Sequence, residues 1–137
     1  MCIKRILVVD DEPSVTRNLK LNLESSGGYD VFAENHATNA LTAARIFRPD
    51  LILLDISLPK LNGLNAARQI RKVAPKSTIL FLSGESDPDV VRDALCAGGV
   101  GYVLKWEATR DLLTGIESVL LGRRFVSSSL WAFDVAS

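Results

Sequence analysis

The chain has one histidine, two cysteines and no excess of either charge sign, and each scarcity removes a class of protein. His36 alone, beside Cys2 and Cys96, gives no spacing for a His/Cys zinc site. Two cysteines make no disulfide framework, and a reducing cytoplasm suits such sparse thiols. Lys+Arg and Asp+Glu number 16 each, so the basic excess usual in a nucleic-acid binder is missing. No apolar run approaches the roughly 18 residues of a membrane span. The stretch Ile6 to Val9 follows two basic residues but meets three acids at once. It is shorter than the roughly 7–15 apolar residues of a signal peptide and reads as a first strand. Neither G-x-G-x-x-G nor a P-loop occurs, so a nucleotide or flavin binder lacks its glycines.

What is present is ordinary in amount and regular in order. The 137 residues suit one domain of about 100–150 residues, large enough to fold without a staple. Ile6–Val9, Leu51–Leu54, Ile79–Leu82 and Tyr102–Leu104 are short, continuous apolar runs. Such runs mark strands buried on both faces, as in a parallel sheet. Tyr29–Ala33 alternates in part and reads as a strand near the sheet edge. Between them lie helix-length segments: Pro13–Glu24, Ala37–Phe47, Asn62–Val73, one opened by Asp87-Pro88, and Thr109–Leu121. Gly27-Gly28 and Gly98-Gly99 follow two of them as stops, and Asp87 with Pro88 is a cap-and-proline start. Five β-α pairs with right-handed crossovers give an α/β protein, a three-layer α/β/α sandwich on a five-stranded parallel sheet.

Four of the strands end on functional groups: Asp10, Asp11 and Glu12 after the first, Asp55 after the third, Ser83 after the fourth, Lys105 after the fifth. Sites in open α/β sheets form outside the carboxyl ends of strands, where the strand order reverses. With the first and third strands as neighbours there, Asp10, Asp11 and Asp55 converge on one crevice. Three carboxylates so close raise a pKa or recruit a cation. Oxygen donors alone select magnesium, or manganese as an alternative. One aspartate is then free for chemistry. Asp55, standing alone, can act as a nucleophile toward phosphorus, with Lys105 as a point charge and Ser83 as a hydroxyl for phosphoryl oxygens. Each residue also has an ordinary reading: Asp10 or Asp11 as a helix cap, Lys105 as a surface lysine, Ser83 as a turn residue, Tyr102 as a core aromatic. His36 and Cys96 read as structural, and Trp106 and Trp131 as packing or contact residues.

Four stretches in this order resemble the receiver domain of two-component response regulators, from Arg5 to about Phe125. They are Leu7–Pro13, Leu51–Gly63, Leu82–Gly84 and Ala97–Lys105. The resemblance implies a flavodoxin-like fold with strand order 2-1-3-4-5. It implies that Asp55 accepts a phosphoryl group from a sensor histidine kinase, and that Asp10, Asp11, Asp55 and the backbone carbonyl of Ser57 hold magnesium. By the same likeness Ser83 and Lys105 form the switch, Tyr102 changes rotamer with it, and a homodimer would use the last helix and last strand. Pro59 and Gly63 fit a tight loop after Asp55. Two positions depart from the family pattern: Trp106 stands where many receivers have proline, and Gly99 where alanine is commoner, which would loosen the loop before Tyr102. Residues 1–122 read as the phosphoacceptor domain and 123–137 as a C-terminal tail or the start of a linker. The tail resembles the segment after receivers with helix-turn-helix outputs, so both a stand-alone receiver and part of a longer transcription factor stay open. Direct nucleic-acid binding by this domain is not expected. A magnesium-dependent phosphohydrolase with Asp55 as nucleophile, and a partner-binding receiver without phosphorylation, are the alternatives.

Overall fold

The computed structural model describes residues 3–57 and 62–133, the last three through their backbone alone. Cys2, Pro59 and the side chain of Trp131 lie outside the described residues. The strands are β1 (Lys4–Val9), β2 (Tyr29–Glu34), β3 (Leu51–Leu54), β4 (Thr78–Ser83), β5 (Gly99–Leu104) and β6 (Phe125–Val126). The helices are α1 (Pro13–Ser25), α2 (Ala37–Phe47), α3 (Gly63–Val73), α4 (Pro88–Cys96) and α5 (Ala108–Leu120), with a 3-10 turn at Lys105–Glu107 before α5. All strand pairs are parallel, in the order β2-β1-β3-β4-β5-β6.

The apolar runs are buried on both faces because alternate residues feed two cores. Leu7, Val9, Ile52, Leu54, Phe81 and Tyr102 point toward α2, α3 and α4, whose small Ala40, Ala44, Ala66, Ala67 and Ala94 let those helices pack close. Ile6, Val8, Leu51, Leu53, Leu80 and Val103 point the other way, onto Leu23 of α1 and Leu112, Ile116 and Val119 of α5. This makes the three-layer α/β/α sandwich expected of the pattern. Asp87 caps α4 as its sequence predicts, accepting from the Asp89 N–H, and Asn62 caps α3 by accepting from Leu64. None of the described helices is long and apolar enough to cross a membrane.

Three expectations are corrected. Among the described residues the sheet has six strands rather than five, because Phe125–Val126, beyond α5, pairs with Gly101 and Tyr102. Gly99 does not loosen a loop: it lies within β5, and a Cβ there would come 2.5 Å from the Phe81 ring. Its missing side chain is the space that ring fills. The freedom of Gly63 is also unused, since it has helical rather than positive φ. What demands glycine is close approach, because a Cβ would strike the carbonyl oxygen of Asp55. Gly27 and Gly28 do need their freedom, turning the chain after α1 at φ of 82° and 87°.

The outer edge of β2 is gripped by side chains at its middle, Val31. The Val31 N–H donates to Glu24 Oε2 at 3.1 Å, and its carbonyl accepts from Lys20 Nζ at 2.6 Å. Lys20 and Glu24 are also paired with each other along α1, at 3.2 Å. An edge strand with free backbone groups invites pairing with another chain, and here α1 occupies those of Val31.

Candidate functional site

The register of the sheet builds the site. Val9 of β1 stands opposite Leu54 of β3, so the next residues, Asp10 and Asp55, leave the sheet side by side. The Asp55 N–H extends the ladder by one bond to the Val9 carbonyl, at 3.2 Å. Both aspartates are buried, at 2% and 4% exposure, while Asp11 is exposed at the mouth of the crevice. One carboxylate oxygen from each of Asp10, Asp11 and Asp55 lies within 4.8 Å of the others. The convergence predicted from the strand ends is therefore present.

Lys105 stands two strands from Asp55, about 9–10 Å of sheet, a gap that only a long side chain crosses. Its Nζ lies 2.8 Å from Asp10 Oδ2 and 3.1 Å from Asp55 Oδ2. One ammonium thus bridges two buried carboxylates. Burial pulls the Lys105 pKa down, but its hydrogen bond to Asp10 and the nearby charge of Asp55 outweigh that, and the net shift is upward. For Asp55 burial dominates and holds the carboxyl above its ordinary range. The Ser57 N–H, which donates to Asp55 Oδ1 at 3.1 Å, and the Lys105 charge oppose it, and Asp10 reinforces it. The Lys105–Trp106 link is trans, as there is no cis peptide bond among the described residues. Trp106 itself is 61% exposed, so most of its surface faces solvent.

Ser83 and Tyr102 form a second cluster beside the first. Ser83 is fully buried, and its Oγ accepts from the Glu85 N–H at 3.1 Å. Tyr102 is also fully buried, and its hydroxyl donates to the Glu85 carbonyl at 2.6 Å. Both side chains thus converge on the backbone of Glu85. The loop after β4 is therefore held by one strand-end hydroxyl and one inward aromatic. Both core and switch readings of Tyr102 fit this position. Burial pushes the Tyr102 phenol up to about 12. Its neutral form then favours the fold fully below the unfolded value of about 10, and that contribution is lost as pH rises through the folded value. A spectrophotometric titration should show the folded domain without Tyr102 tyrosinate at pH values where a free tyrosine is mostly ionised. A normal midpoint for both Tyr29 and Tyr102 would contradict the buried hydroxyl.

Some functional neighbours escape a reading of four strand ends. Asn35, just beyond the second strand, donates from Nδ2 to the Asp10 carbonyl and to Thr16 Oγ1, each at 2.9 Å. It braces the acidic loop against buried Thr16 at the start of α1. The signal was available, since the weaker second strand also ends on a polar residue. Asp10 does not cap α1, whose N-cap is Glu12 with no side-chain bond, although Asp10 Oδ1 accepts from the Glu12 N–H at 3.0 Å. His36 stands at the N-cap of α2 without a capping side-chain bond, and Cys96 is exposed at the end of α4.

A parallel sheet of this order between two helix layers defines the flavodoxin-like class of α/β domain, and here its carboxyl edge carries an acidic cluster and a lysine. The chain belongs to the response regulator receiver domain family, whose model matches residues 6–117. It is thus a receiver domain of two-component phosphorelay signalling. It is 37% identical over 117 residues to the alkaline phosphatase synthesis transcriptional regulatory protein PhoP of Bacillus subtilis, covering 85% of this chain and 48% of that protein. It is 33% identical over 121 residues to protein-glutamate methylesterase/protein-glutamine glutaminase 3 of Rhodospirillum rubrum, covering 87% of this chain and 33% of that protein. The chain therefore spans about half, or less, of the length of these relatives. Among solved structures, a LuxR-family two-component response regulator from Aurantimonas superposes with a TM-score of 0.89 at 33% identity, covering 98% of this chain and 96% of that one.

Proposed function

We propose that Asp55 is the phosphoacceptor of this receiver, taking its phosphoryl group from a phosphohistidine of a sensor kinase in the cytoplasm. The observation that carries the proposal is the single ammonium of Lys105 held between Asp10 and Asp55 at 2.8 and 3.1 Å. A cation so placed can follow negative charge from the carboxylate to a phosphoryl oxygen. In the transfer an Asp55 oxygen forms a bond to phosphorus as the bond from phosphorus to the histidine nitrogen breaks. The electron pair stays with the imidazole, and the product is an acyl phosphate that water later hydrolyses. Phosphoryl transfer needs positioning and charge stabilisation rather than further covalent chemistry. Lys105 supplies charge, the Ser57 N–H orients Asp55, and Ser83 supplies a hydroxyl on turning from Glu85.

The donor set fits a magnesium ion. It is all oxygen, and the three carboxylates are near enough for small rotations to bring their oxygens to the roughly 3–4 Å separations of an octahedral site. Asp10, Asp11, Asp55 and the Ser57 carbonyl would hold it. When bound it would neutralise phosphoryl oxygens and the crowded carboxylates. We read residues 1–122 as the phosphoacceptor unit and 123–137 as the segment leading out of it. The output is control of a partner or of a linked effector rather than turnover of a substrate. Neutral overall charge supports partners other than nucleic acid for this unit, with a second copy through α5 and the last strands among them.

Acetyl phosphate with magnesium should add one phosphoryl group to the intact chain, and chelation should stop the reaction while leaving the circular dichroism unchanged. An unchanged mass in the presence of the metal would sink the proposal. Steady turnover of an exogenous phosphoester would favour a hydrolase instead.

A further inference from the structure

Ser127-Ser128-Ser129 is the one low-complexity tract in the sequence, and each serine has its own partner. Ser127 is fully buried, and its Oγ accepts the Leu104 N–H at 3.0 Å, while its own N–H donates to the Tyr102 carbonyl at 3.0 Å. Ser128 Oγ accepts from Arg110 Nη2 at 2.8 Å. Ser129 Oγ donates to Glu107 Oε1 at 2.9 Å. Arg110 and Glu107 are themselves paired, at 3.0 Å. The contacts thus fall on the residue before Lys105 and on the turn and helix start just after it.

The docking ground for this segment is shaped in advance. A Cβ on Gly101 of β5 would come 2.7 Å from the Phe125 carbonyl, and one on Gly115 of α5 would come 3.0 Å from the Phe125 ring. Two elements have therefore given up side chains to let the segment lie close. At its far end Leu130, 1% exposed, enters the same core cluster as Tyr102 and Leu104. A loose tail would need neither the two glycines nor the buried leucine.

We propose that Ser127, Ser128 and Ser129 form a clip that fixes the backbone on both sides of Lys105, so that the exit segment both positions the lysine ammonium and registers its displacement. The inference rests on the reading of Asp55 and Lys105 as the phosphoryl site. When the ammonium turns from Asp10 and Asp55 to a new anionic group, the pull is transmitted to Leu104 and Glu107 and thence to the serines. The serines are positioning residues: none touches the reacting carboxylate.

The test uses the whole chain. Ser127 is a poor first target, because removing its hydroxyl orphans the buried Leu104 N–H and perturbs the fold itself. Ser128 and Ser129 are exposed, so Ser128→Ala with Ser129→Ala isolates the clip. Beryllium trifluoride with magnesium serves as the phosphoryl mimic, and amide hydrogen exchange is followed in peptides covering residues 102–107 and 125–130. In the wild type both peptides should change protection by about fivefold, the factor one net hydrogen bond is worth. In the double variant the 102–107 response should persist and the 125–130 response shrink to the part carried through Ser127. Acyl-phosphate formation from acetyl phosphate should slow by about fivefold on the same reasoning. Threonine at both positions, which keeps the hydroxyls, should restore both. A wild-type response confined to 102–107, or a double variant that labels at the wild-type rate with both responses intact, overturns the clip. Absence of any response at 102–107 in the wild type overturns the phosphoryl-site reading, and the clip with it.

Discussion

Asp55→Asn is expected to abolish acyl-phosphate formation and, in magnesium-free buffer, to raise the thermal midpoint. The loss of labelling follows from chemistry, since an amide oxygen does not attack phosphorus as a carboxylate does. The gain in stability follows from the surroundings. Asp55 is 4% exposed, and burial lifts its pKa above the ordinary value. For an acid shifted upward, the protonated form is the one the fold favours. Its contribution is full below the unfolded pKa and is lost as pH rises through the folded pKa. At neutral pH the wild type therefore carries the cost of a buried charge that asparagine lacks. The amide oxygen can still accept from the Ser57 N–H, and Lys105 keeps its contact with Asp10 at 2.8 Å. A gain of the order of 1 kcal/mol, or about 3 °C in the midpoint, is the expected size. The advantage should shrink toward pH 4 and be full above neutrality. Calorimetry at several pH values tests the stability, and intact mass after acetyl phosphate tests the chemistry. Undiminished labelling would move the acceptor elsewhere. A less stable variant at neutral pH would mean that the Lys105–Asp55 contact outweighs desolvation.

Gly63→Ala should destabilise the domain by about 3 kcal/mol, as overpacking against rigid backbone does. The sign is informative, because helix propensity alone favours alanine over glycine by about 1 kcal/mol. The new methyl would strike the Asp55 carbonyl oxygen and lie 2.5 Å from the Ile56 Cα and 3.0 Å from the Asp55 carbonyl carbon. None of these atoms can rotate away. The start of α3 would have to retreat, stretching the bond from the Gly63 N–H to the Ile56 carbonyl, now 2.9 Å. Because the obstacle is the backbone of Asp55, labelling should slow as well. Denaturant unfolding measures the first effect and the acetyl phosphate reaction the second. A higher unfolding midpoint would show that α3 shifts freely and that the close approach is incidental.

The sequence conveyed most where one residue type repeats a single physical demand. Continuous apolar runs announced strands buried on both faces, and polar groups directly after them announced the crevice. Asp10 and Asp55 could be paired on paper because adjacent parallel strands in register end together. The reach of Lys105 was visible as chemistry but not as geometry, since its contact with Asp10 depends on how far one side chain extends across the sheet. Phe125–Val126 is too short to signal a strand, and its pairing rests on a missing side chain at Gly101, some two dozen residues earlier. Gly99 and Gly63 looked like matters of backbone freedom. Each proved to be a matter of room, for the Phe81 ring and the Asp55 carbonyl. Such demands come from atoms distant in sequence, and composition does not carry them.

The Lys20–Glu24 pair over Val31 has a consequence for life in a crowded solution. With one margin of the sheet gripped by side chains at Val31 and the other ending in a two-residue strand, each rim has a break in the run of backbone that an extended chain would have to match. Side-chain surfaces then carry more of any association, and a single altered charge there can admit or refuse a companion. A signalling module so edged can be made in many copies with less strand-to-strand aggregation, while pairing through defined side-chain faces stays open.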